Sequence, residues 1–154
     1  MSARKSLNKT SILVCFSGGV DSVLMLSKAL QEFEVVECLT ISYPERSFNE
    51  IEILEEFRYK YPLRWIEVNL VVEPTYQTML SLAIDICAER GIDNIGIGVI
   101  KDDLKSSYGQ VYTGTKEFFR QIIKVSRLEK QKKIELWLPL LNYTKEDVLR
   151  ETNN

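Results

Sequence analysis

The sequence contains no histidine and only three cysteines among its 154 residues. The absence of histidine excludes the usual Ser-His and Cys-His nucleophile systems, so any chemistry has to use carboxylates, lysine, tyrosine, a metal or a bound reagent. Cys15, Cys38 and Cys87 stand alone inside apolar stretches, without a Cys-x-x-Cys spacing, which predicts small core residues. We therefore expect no zinc site from this chain.

Long apolar runs and a strong net charge are also missing. No stretch approaches membrane-spanning length, the N-terminal segment MSARKSLNKT has no apolar signal-peptide core, and the net charge is -2. These features favour a cytoplasmic protein with no membrane partner and no global attraction to nucleic acid. The length fits a single domain, predicted over residues 11–154, after a flexible N-terminal arm at residues 1–10.

The stretch SILVCFSGGVDSVLML, residues 11–26, carries the most specific motif. An apolar run at residues 12–16 predicts a buried strand, which breaks at Ser17, Gly18 and Gly19 before apolar residues at helical spacing. A glycine turn of this kind brings several amide N–H groups and a helix N-terminus close to one point, where they suit a phosphate group. The motif lacks the Gly-Lys-Ser/Thr of a Walker loop and the third glycine of the dinucleotide fingerprint.

Each residue type in Ser-Gly-Gly-Val-Asp-Ser has a chemical reason to be there. The two glycines give space and amide donors, and the hydroxyls of Ser17 and Ser22 can donate to phosphate oxygens. Asp21 is an anion beside a polyanion, so we expect it to hold Mg2+ between them; the alternative is an ordinary helix N-cap. The predicted nucleotide contacts in this motif are Ser17, Gly18, Gly19, Val20, Asp21 and Ser22.

The rest of the chain alternates strand-like and helix-like segments. This pattern predicts an α/β fold with a five-stranded parallel sheet of order 3-2-1-4-5 and helices on both faces. The predicted strands are residues 12–16, 34–43, 64–71, 93–100 and 134–138. Ligands bind beyond the carboxyl ends of such strands, near the switch in strand order, which here is the first strand. Ile41, Ser42 and Tyr43 at the end of the second strand, and Gly98 in the fourth, should then flank the nucleotide.

The loop predicted at residues 101–114 and the basic helix after it are expected to provide the remaining groups. Long loops without hydrophobic periodicity are often functional in compact domains. We expect two loop carboxylates to serve metal or substrate, two tyrosines to close over the substrate, and two helix cations to meet the departing pyrophosphate. For each charge the alternative is an ordinary solvated position. These residues are Asp102 and Asp103, Tyr108 and Tyr112, and Lys116 and Arg120, respectively.

The motif SGGVDS resembles the PP-loop of the N-type ATP pyrophosphatases. Three further stretches resemble the 7-cyano-7-deazaguanine synthases (QueC), PP-loop enzymes that make the preQ0 precursor of queuosine and archaeosine. They are EVVECLTISYPER, in which Tyr43 and Arg46 match the family, then TMLSLAIDICAERGIDNIGIGV, and GTKEFFRQI with LPLLNYTKEDVLRET. The resemblance implies a Rossmann-like domain of the adenine nucleotide alpha hydrolase (HUP) type that binds ATP and Mg2+.

Three features of that family are not found in this sequence. The Pro-x-Arg-Asn stretch before the third helix is reduced to VVEPTYQT, the substrate loop Gly-Tyr-Pro-Asp-Cys-Arg is replaced by SSYGQVYTGT, and the four zinc-binding cysteines have no counterpart. The resemblance therefore implies ATP binding more strongly than the carboxy-deazaguanine substrate, and it implies a reduced substrate site.

We accordingly predict an ATP-dependent adenylating ligase. An acid or amide oxygen of a small-molecule substrate would attack the α-phosphate, pyrophosphate would leave, and ammonia or another nucleophile would displace AMP. One alternative is a tRNA-modifying PP-loop enzyme that grips RNA with the basic helix, although the RNA-binding domains or catalytic cysteines of such enzymes are missing. The other is a non-catalytic, nucleotide-binding QueC-like subunit. Whether the chain forms a homodimer or joins a partner subunit is left open.

Overall fold

The computed structural model describes residues 9–101, 120–125 and 133–153. Five parallel strands form one sheet in the order β3-β2-β1-β4-β5, which confirms the predicted topology. The strands are β1 (Lys9–Cys15), β2 (Phe33–Ser42), β3 (Arg64–Asn69), β4 (Asn94–Gly96) and β5 (Glu135–Trp137).

Helices cover both faces of the sheet, as predicted. They are α1 (Val20–Glu32), α2 (Phe48–Lys60), α3 (Tyr76–Arg90) and α4 (Lys145–Thr152), and residues 120–125 are also helical. One apolar cluster joins Ile12 and Val14 of β1 to α1, α2 and α4, and a second joins Leu13 of β1 to α3 and residues 120–125. Successive side chains of a strand point to opposite faces, so β1 contributes to both clusters.

The first strand is the centre of the sheet and is buried on both sides. Leu13 of β1 pairs with Glu37 of β2 on one side and with Ile95 of β4 on the other, in parallel register. A strand covered on both faces and paired at both edges has no polar face, which explains the uninterrupted apolar run. The connections after β1, β2 and β4 consequently emerge at the same edge of the sheet.

The predicted fourth strand is too long. The ladder of β4 ends at Gly96, and residues 97–100 follow without regular secondary structure, although Ile97, Val99 and Ile100 are buried. Ile97 N–H still donates to the Trp137 carbonyl at 3.1 Å. Ile100 is buried in the cluster that contains α1 and α4, whereas Ile97 and Val99 are buried in the cluster that contains α3. Burial, and not strand pairing, accounts for the apolar character of this segment. A Cβ on Gly96 would lie 3.1 Å from the side chains of Ile12 and Trp137, so glycine allows the close packing at this position.

The predicted third strand lies at the edge of the sheet, as the order 3-2-1-4-5 requires, but it ends at Asn69. Val71 and Val72, the first of which was counted in the strand, are exposed. The helix ends agree with the sequence signals. Gly91 caps α3 in the left-handed region with φ of 72°, and Thr144 and Asp147 form a capping box at the start of α4.

The cysteines behave as core residues. Cys38 and Cys87 are buried, Cys15 is partly buried, and all three are free thiols. Burial raises the pKa of Cys15 and of Cys38 to about 12, so both thiols stay protonated and unreactive near neutral pH. Among the described helices, none has the length and apolarity that a bilayer crossing requires.

Candidate functional site

The turn between β1 and α1 has a backbone that only glycine tolerates. Gly18 has φ of +96°, and a Cβ placed there would lie 2.2 Å from the Glu50 carbonyl oxygen. Gly19 is the N-cap of α1, and a Cβ there would lie 3.0 Å from the Glu50 carboxylate. The first turn of α2, which contains Glu50, therefore closes directly over the glycine pair.

The two serines of the motif bond to the amides of the turn. Ser22 Oγ accepts from the Gly18 N–H at 3.1 Å and donates to the Gly19 carbonyl at 2.9 Å, while Ser17 Oγ accepts from the Gly19 N–H at 3.1 Å. The two hydroxyl oxygens are 3.3 Å apart. Amide donors, hydroxyls and the N-terminus of α1 thus converge on one small region, which is the arrangement that an anion needs.

Asp21 lies in the first turn of α1 and is not its N-cap, so the capping alternative is wrong. Its Oδ1 accepts from the Lys145 ammonium at 3.0 Å, across 124 residues of sequence. No group of three or more metal-binding side chains occurs among the residues that the structure describes. Mg2+ in nucleotide sites commonly takes one or two carboxylates and completes its shell with phosphates and water, so Asp21 alone fits such an ion.

Two neighbouring cavities open at this edge of the sheet. One, of about 250 Å³, is mostly apolar, and the other, of about 230 Å³, adjoins the glycine turn. They share Cys15, Ser17, Tyr76 and Met79. The first is further lined by Phe16, Leu39, Ile41, Tyr43, Glu73 and Pro74, and the second by Asp21, Ser22, Ile97 and Gly98.

Most of the predicted nucleotide contacts meet here, with one exception. Ser17, Asp21, Ser22, Ile41, Tyr43 and Gly98 line the cavities, and Gly18, Gly19 and Val20 form the adjoining backbone. Ser42 lines neither cavity, and its hydroxyl donates instead to Glu67 Oε2 at 2.6 Å. That hydrogen bond lowers the pKa of the Glu67 carboxyl, with Arg58 as a weaker contributor.

Several residues of the site were not predicted from the sequence. Glu73, Tyr76 and Met79 come from the segment after β3, which has no motif. The Tyr43 hydroxyl donates to Glu73 Oε1 at 3.3 Å at the rim of the apolar cavity. Burial first, and the Glu73 charge second, raise the pKa of Tyr43, so the phenol is a neutral donor at physiological pH. Lys145 was recognised only as part of a capping sequence.

Of the residues predicted to act from the loop at residues 101–114 and from the helix after it, the structure describes only Arg120. Asp102, Asp103, Tyr108, Tyr112 and Lys116 lie outside the described residues. Arg120 is exposed and lines a different cavity, of about 540 Å³, beside β5. None of the described residues that line this cavity also lines the two cavities beside the turn, so the role of Arg120 at pyrophosphate stays a prediction.

Comparison with solved structures shows the fold class. The U34-tRNA thiolase NcsA from Methanococcus maripaludis, solved with its [4Fe-4S] cluster, superposes with a TM-score of 0.66 at 16% identity, covering 98% of this chain and 61% of that one. The NH3-dependent NAD synthetase from Campylobacter jejuni superposes with a TM-score of 0.64 at 14% identity, covering 97% and 65%. The chain therefore has the Rossmann-like fold of these proteins, with a parallel sheet of order 3-2-1-4-5 and helices on both faces.

Sequence comparison is more specific over the first half. Residues 11–75 match the family described as queuosine biosynthesis protein QueC. The 7-cyano-7-deazaguanine synthase of Bacillus subtilis is 41% identical over 54 residues, covering 35% of this chain and 25% of that protein. The Staphylococcus epidermidis enzyme is 37% identical over 62 residues, covering 40% and 28%. The chain thus matches about a quarter of the length of these relatives, and the predicted QueC resemblance is confirmed over residues 11–75.

Proposed function

We propose that this protein binds ATP with Mg2+ beyond the carboxyl end of β1 and uses it to adenylate a small-molecule acid or amide, releasing pyrophosphate. The observation that carries the proposal is the glycine turn. Gly18 with φ of +96°, the hydroxyls of Ser17 and Ser22, and the N-terminus of α1 form a compact anion site with a carboxylate beside it.

The two cavities suit the two ends of a nucleotide. The mostly apolar cavity, lined by Leu39, Ile41 and Met79, suits a base and its sugar, and Tyr43 and Glu73 give it polar groups at the rim. The second cavity, beside Ser17, Asp21 and Ser22, suits the phosphates. Because the cavities share four lining residues, one extended ligand can occupy both.

The residues at the turn would act by positioning and by charge neutralisation. A substrate oxygen attacks the α-phosphorus, the bond to pyrophosphate breaks, and the negative charge that develops meets the amides of the turn and the hydroxyls of Ser17 and Ser22. Asp21 would hold Mg2+, which neutralises phosphate charge when bound. Lys145, which pairs with Asp21 at 3.0 Å, would supply a second cation beside the phosphates. Histidine is not required for any of these steps.

The acceptor that the relatives suggest is a heterocyclic carboxylic acid. The curated relatives are named 7-cyano-7-deazaguanine synthases, and residues 11–75 match their family. Ammonia displacing AMP from the acyl adenylate would give an amide. A second candidate function is a nucleotide-binding subunit without catalysis, favoured because SSYGQVYTGT stands where that family has its substrate loop.

Incubation with Mg2+ and α-labelled ATP tests both functions. We expect AMP and pyrophosphate to form only when a suitable heterocyclic acid is added, and Gly18→Ala to abolish their formation because its Cβ meets Glu50. ATP binding by calorimetry without AMP, across a panel of acids with and without ammonia, would support the non-catalytic subunit. A wild-type protein that binds no ATP at all would contradict the proposal.

A further inference from the structure

Among the residues that the structure describes, Arg46 is the one charged residue that is buried, with 7% of its surface exposed. It lies between β2 and α2, four residues after Ser42 and one before Ser47, the N-cap of α2. Removing a guanidinium from water is costly, so buried arginines normally face a carboxylate or a bound anion. The groups that accept hydrogen bonds from the Arg46 guanidinium therefore indicate the role of its positive charge.

Both protein partners of Arg46 are neutral oxygens. Its Nη2 donates to the Ser17 carbonyl, and its Nη1 donates to Ser42 Oγ at 3.3 Å. In the described part of the chain, no carboxylate forms an ion pair with this guanidinium. The first carboxylate in this hydrogen-bond network is that of Glu67, which accepts from Ser42 Oγ and not from Arg46. Glu67 is also paired with Arg58 at 3.4 Å.

The contact with Ser17 acts on the peptide at the start of the phosphate-binding turn. In a planar trans peptide the carbonyl and the following N–H point in opposite directions, so fixing the Ser17 carbonyl also fixes the Gly18 N–H. This N–H faces the Ser22 hydroxyl at 3.1 Å, on the side where the donors converge. Arg46 therefore holds the carbonyl away from that side and keeps the amide donor directed toward it.

We propose that Arg46 is a positioning residue of the phosphate-binding turn: it fixes the Ser17–Gly18 peptide with the N–H toward the bound phosphates, and its buried charge offsets theirs. The inference rests on the proposed ATP site and adds to it a residue from outside the motif. A carboxylate at hydrogen-bond distance would have neutralised the guanidinium, whereas the neutral partners leave its charge available to a phosphate group on the other side of the turn.

Paired ligands distinguish this role from a purely structural one. We would measure the dissociation constants of ATP and of adenosine for the wild type, Arg46→Met and Arg46→Lys, using calorimetry and ligand-detected NMR. Loss of a charged hydrogen bond to the turn, together with a positive charge behind it, predicts about 10- to 100-fold weaker ATP binding for Arg46→Met. Adenosine has no phosphate, so its affinity should be unchanged. Arg46→Lys keeps the charge and should recover part of the ATP affinity.

Arg58→Met is the matched control. It removes the same type of side chain from the far end of the same network, where Arg58 pairs with Glu55 and Glu67. It should leave the affinities of both ligands unchanged. Equal losses of ATP and adenosine affinity in Arg46→Met, or no loss of ATP affinity, would overturn the inference.

Three further outcomes separate the role of Arg46 from the proposed function. If Arg46→Met does not fold, Arg46→Lys alone decides, since a loss confined to ATP supports the positioning role and an equal loss or none overturns it. A wild type that binds adenosine but not ATP would contradict the proposed function itself. ATP binding that is equally tight in the wild type and in the Arg46 variants would overturn only the role of Arg46.

Discussion

The strands on the two sides of β1 differ in length. On one side β2 has ten residues and β3 has six, whereas β4 and β5 on the other side have three each. Six residues of β1 pair with β2, but only two pair with β4. The QueC match, residues 11–75, covers the side with long strands. Regular backbone pairing and a recognisable sequence therefore coincide in the part that forms the phosphate-binding turn.

The side with short strands is held mainly by side-chain burial. Ile97, Val99 and Ile100 follow β4 and are buried without strand geometry, and the Lys101 N–H donates to the Tyr143 carbonyl at 2.7 Å. Backbone that is not fixed by a ladder can differ between relatives without disturbing the sheet. We propose that the long-strand side provides most of the nucleotide site, with Ile97 and Gly98 added from the other side, and that the short-strand side determines the acceptor.

Gly18→Ala should give the largest effect, because it damages the long-strand side at the turn itself. Strain from φ of +96° costs about 1–3 kcal/mol, and the clash of the new Cβ with the Glu50 carbonyl adds to it. We expect a marked loss of unfolding free energy in urea and no detectable ATP binding by calorimetry.

The control is Gly91→Ala at the end of α3. Gly91 also has positive φ, of 72°, but a Cβ there has no atom within 4 Å. This variant should lose only about 1–2 kcal/mol of stability and keep its ATP affinity. Equal ATP affinities in the two variants would show that the glycine turn is not the phosphate site.

Asp21→Asn should have the next largest effect. Losing the carboxylate that we assign to Mg2+ should weaken Mg2+-dependent ATP binding by roughly 2–4 kcal/mol. Calorimetry with Mg2+, and with EDTA in its place, checks this. The affinity measured in EDTA should be the same in both proteins. An unchanged affinity with Mg2+ would remove the metal role from Asp21.

How much of this site the sequence could show depends on how far apart the contributing residues are. The glycine turn is contiguous, so six neighbouring residues and a preceding apolar strand predict its geometry. The pairing of Asp21 with Lys145 spans 124 residues, and no local pattern indicates it. Similarly, the contact of Arg46 with the Ser17 carbonyl depends on the parallel register of β1 and β2. The extent of the fourth strand was overestimated because burial and strand pairing both select apolar residues.

Lys145→Met tests whether the last helix influences the metal. Lys145 and Mg2+ would compete for the same carboxylate, so its removal should lower the Mg2+ concentration needed for half-maximal ATP binding. The pair is partly exposed, so stability should change by less than about 1 kcal/mol. Lys28→Met is the control. It breaks the ion pair between Lys28 of α1 and Glu151 of α4, and it should not change the Mg2+ requirement. A higher Mg2+ requirement in Lys145→Met would contradict the competition.

The smallest effect on ATP binding is expected at the cap that positions Lys145. Lys145 is the first residue of α4, and a capping box fixes that turn. The Asp147 carboxylate accepts from the Thr144 N–H at 3.0 Å, and Thr144 Oγ1 accepts from the Asp147 N–H at 3.1 Å. The hydrogen bonds from the Thr144 backbone and side chain lower the pKa of Asp147 below its ordinary 3.8. Thr144→Ala should therefore cost about 0.5–2 kcal/mol.

The pH dependence of Asp147→Asn separates the charge from the cap. A carboxyl whose pKa is lower in the folded state stabilises the fold fully at pH values well above 3.8, and the contribution is lost as the pH falls through the lowered value. The wild type should thus be more stable than Asp147→Asn at neutral pH, and the difference should shrink as urea titrations move below pH 3.8. Asp85→Asn, on α3 outside the capping box, is the control. A stability difference between wild type and Asp147→Asn that is the same at neutral and acid pH would show that the side chain acts through its shape and not through its charge.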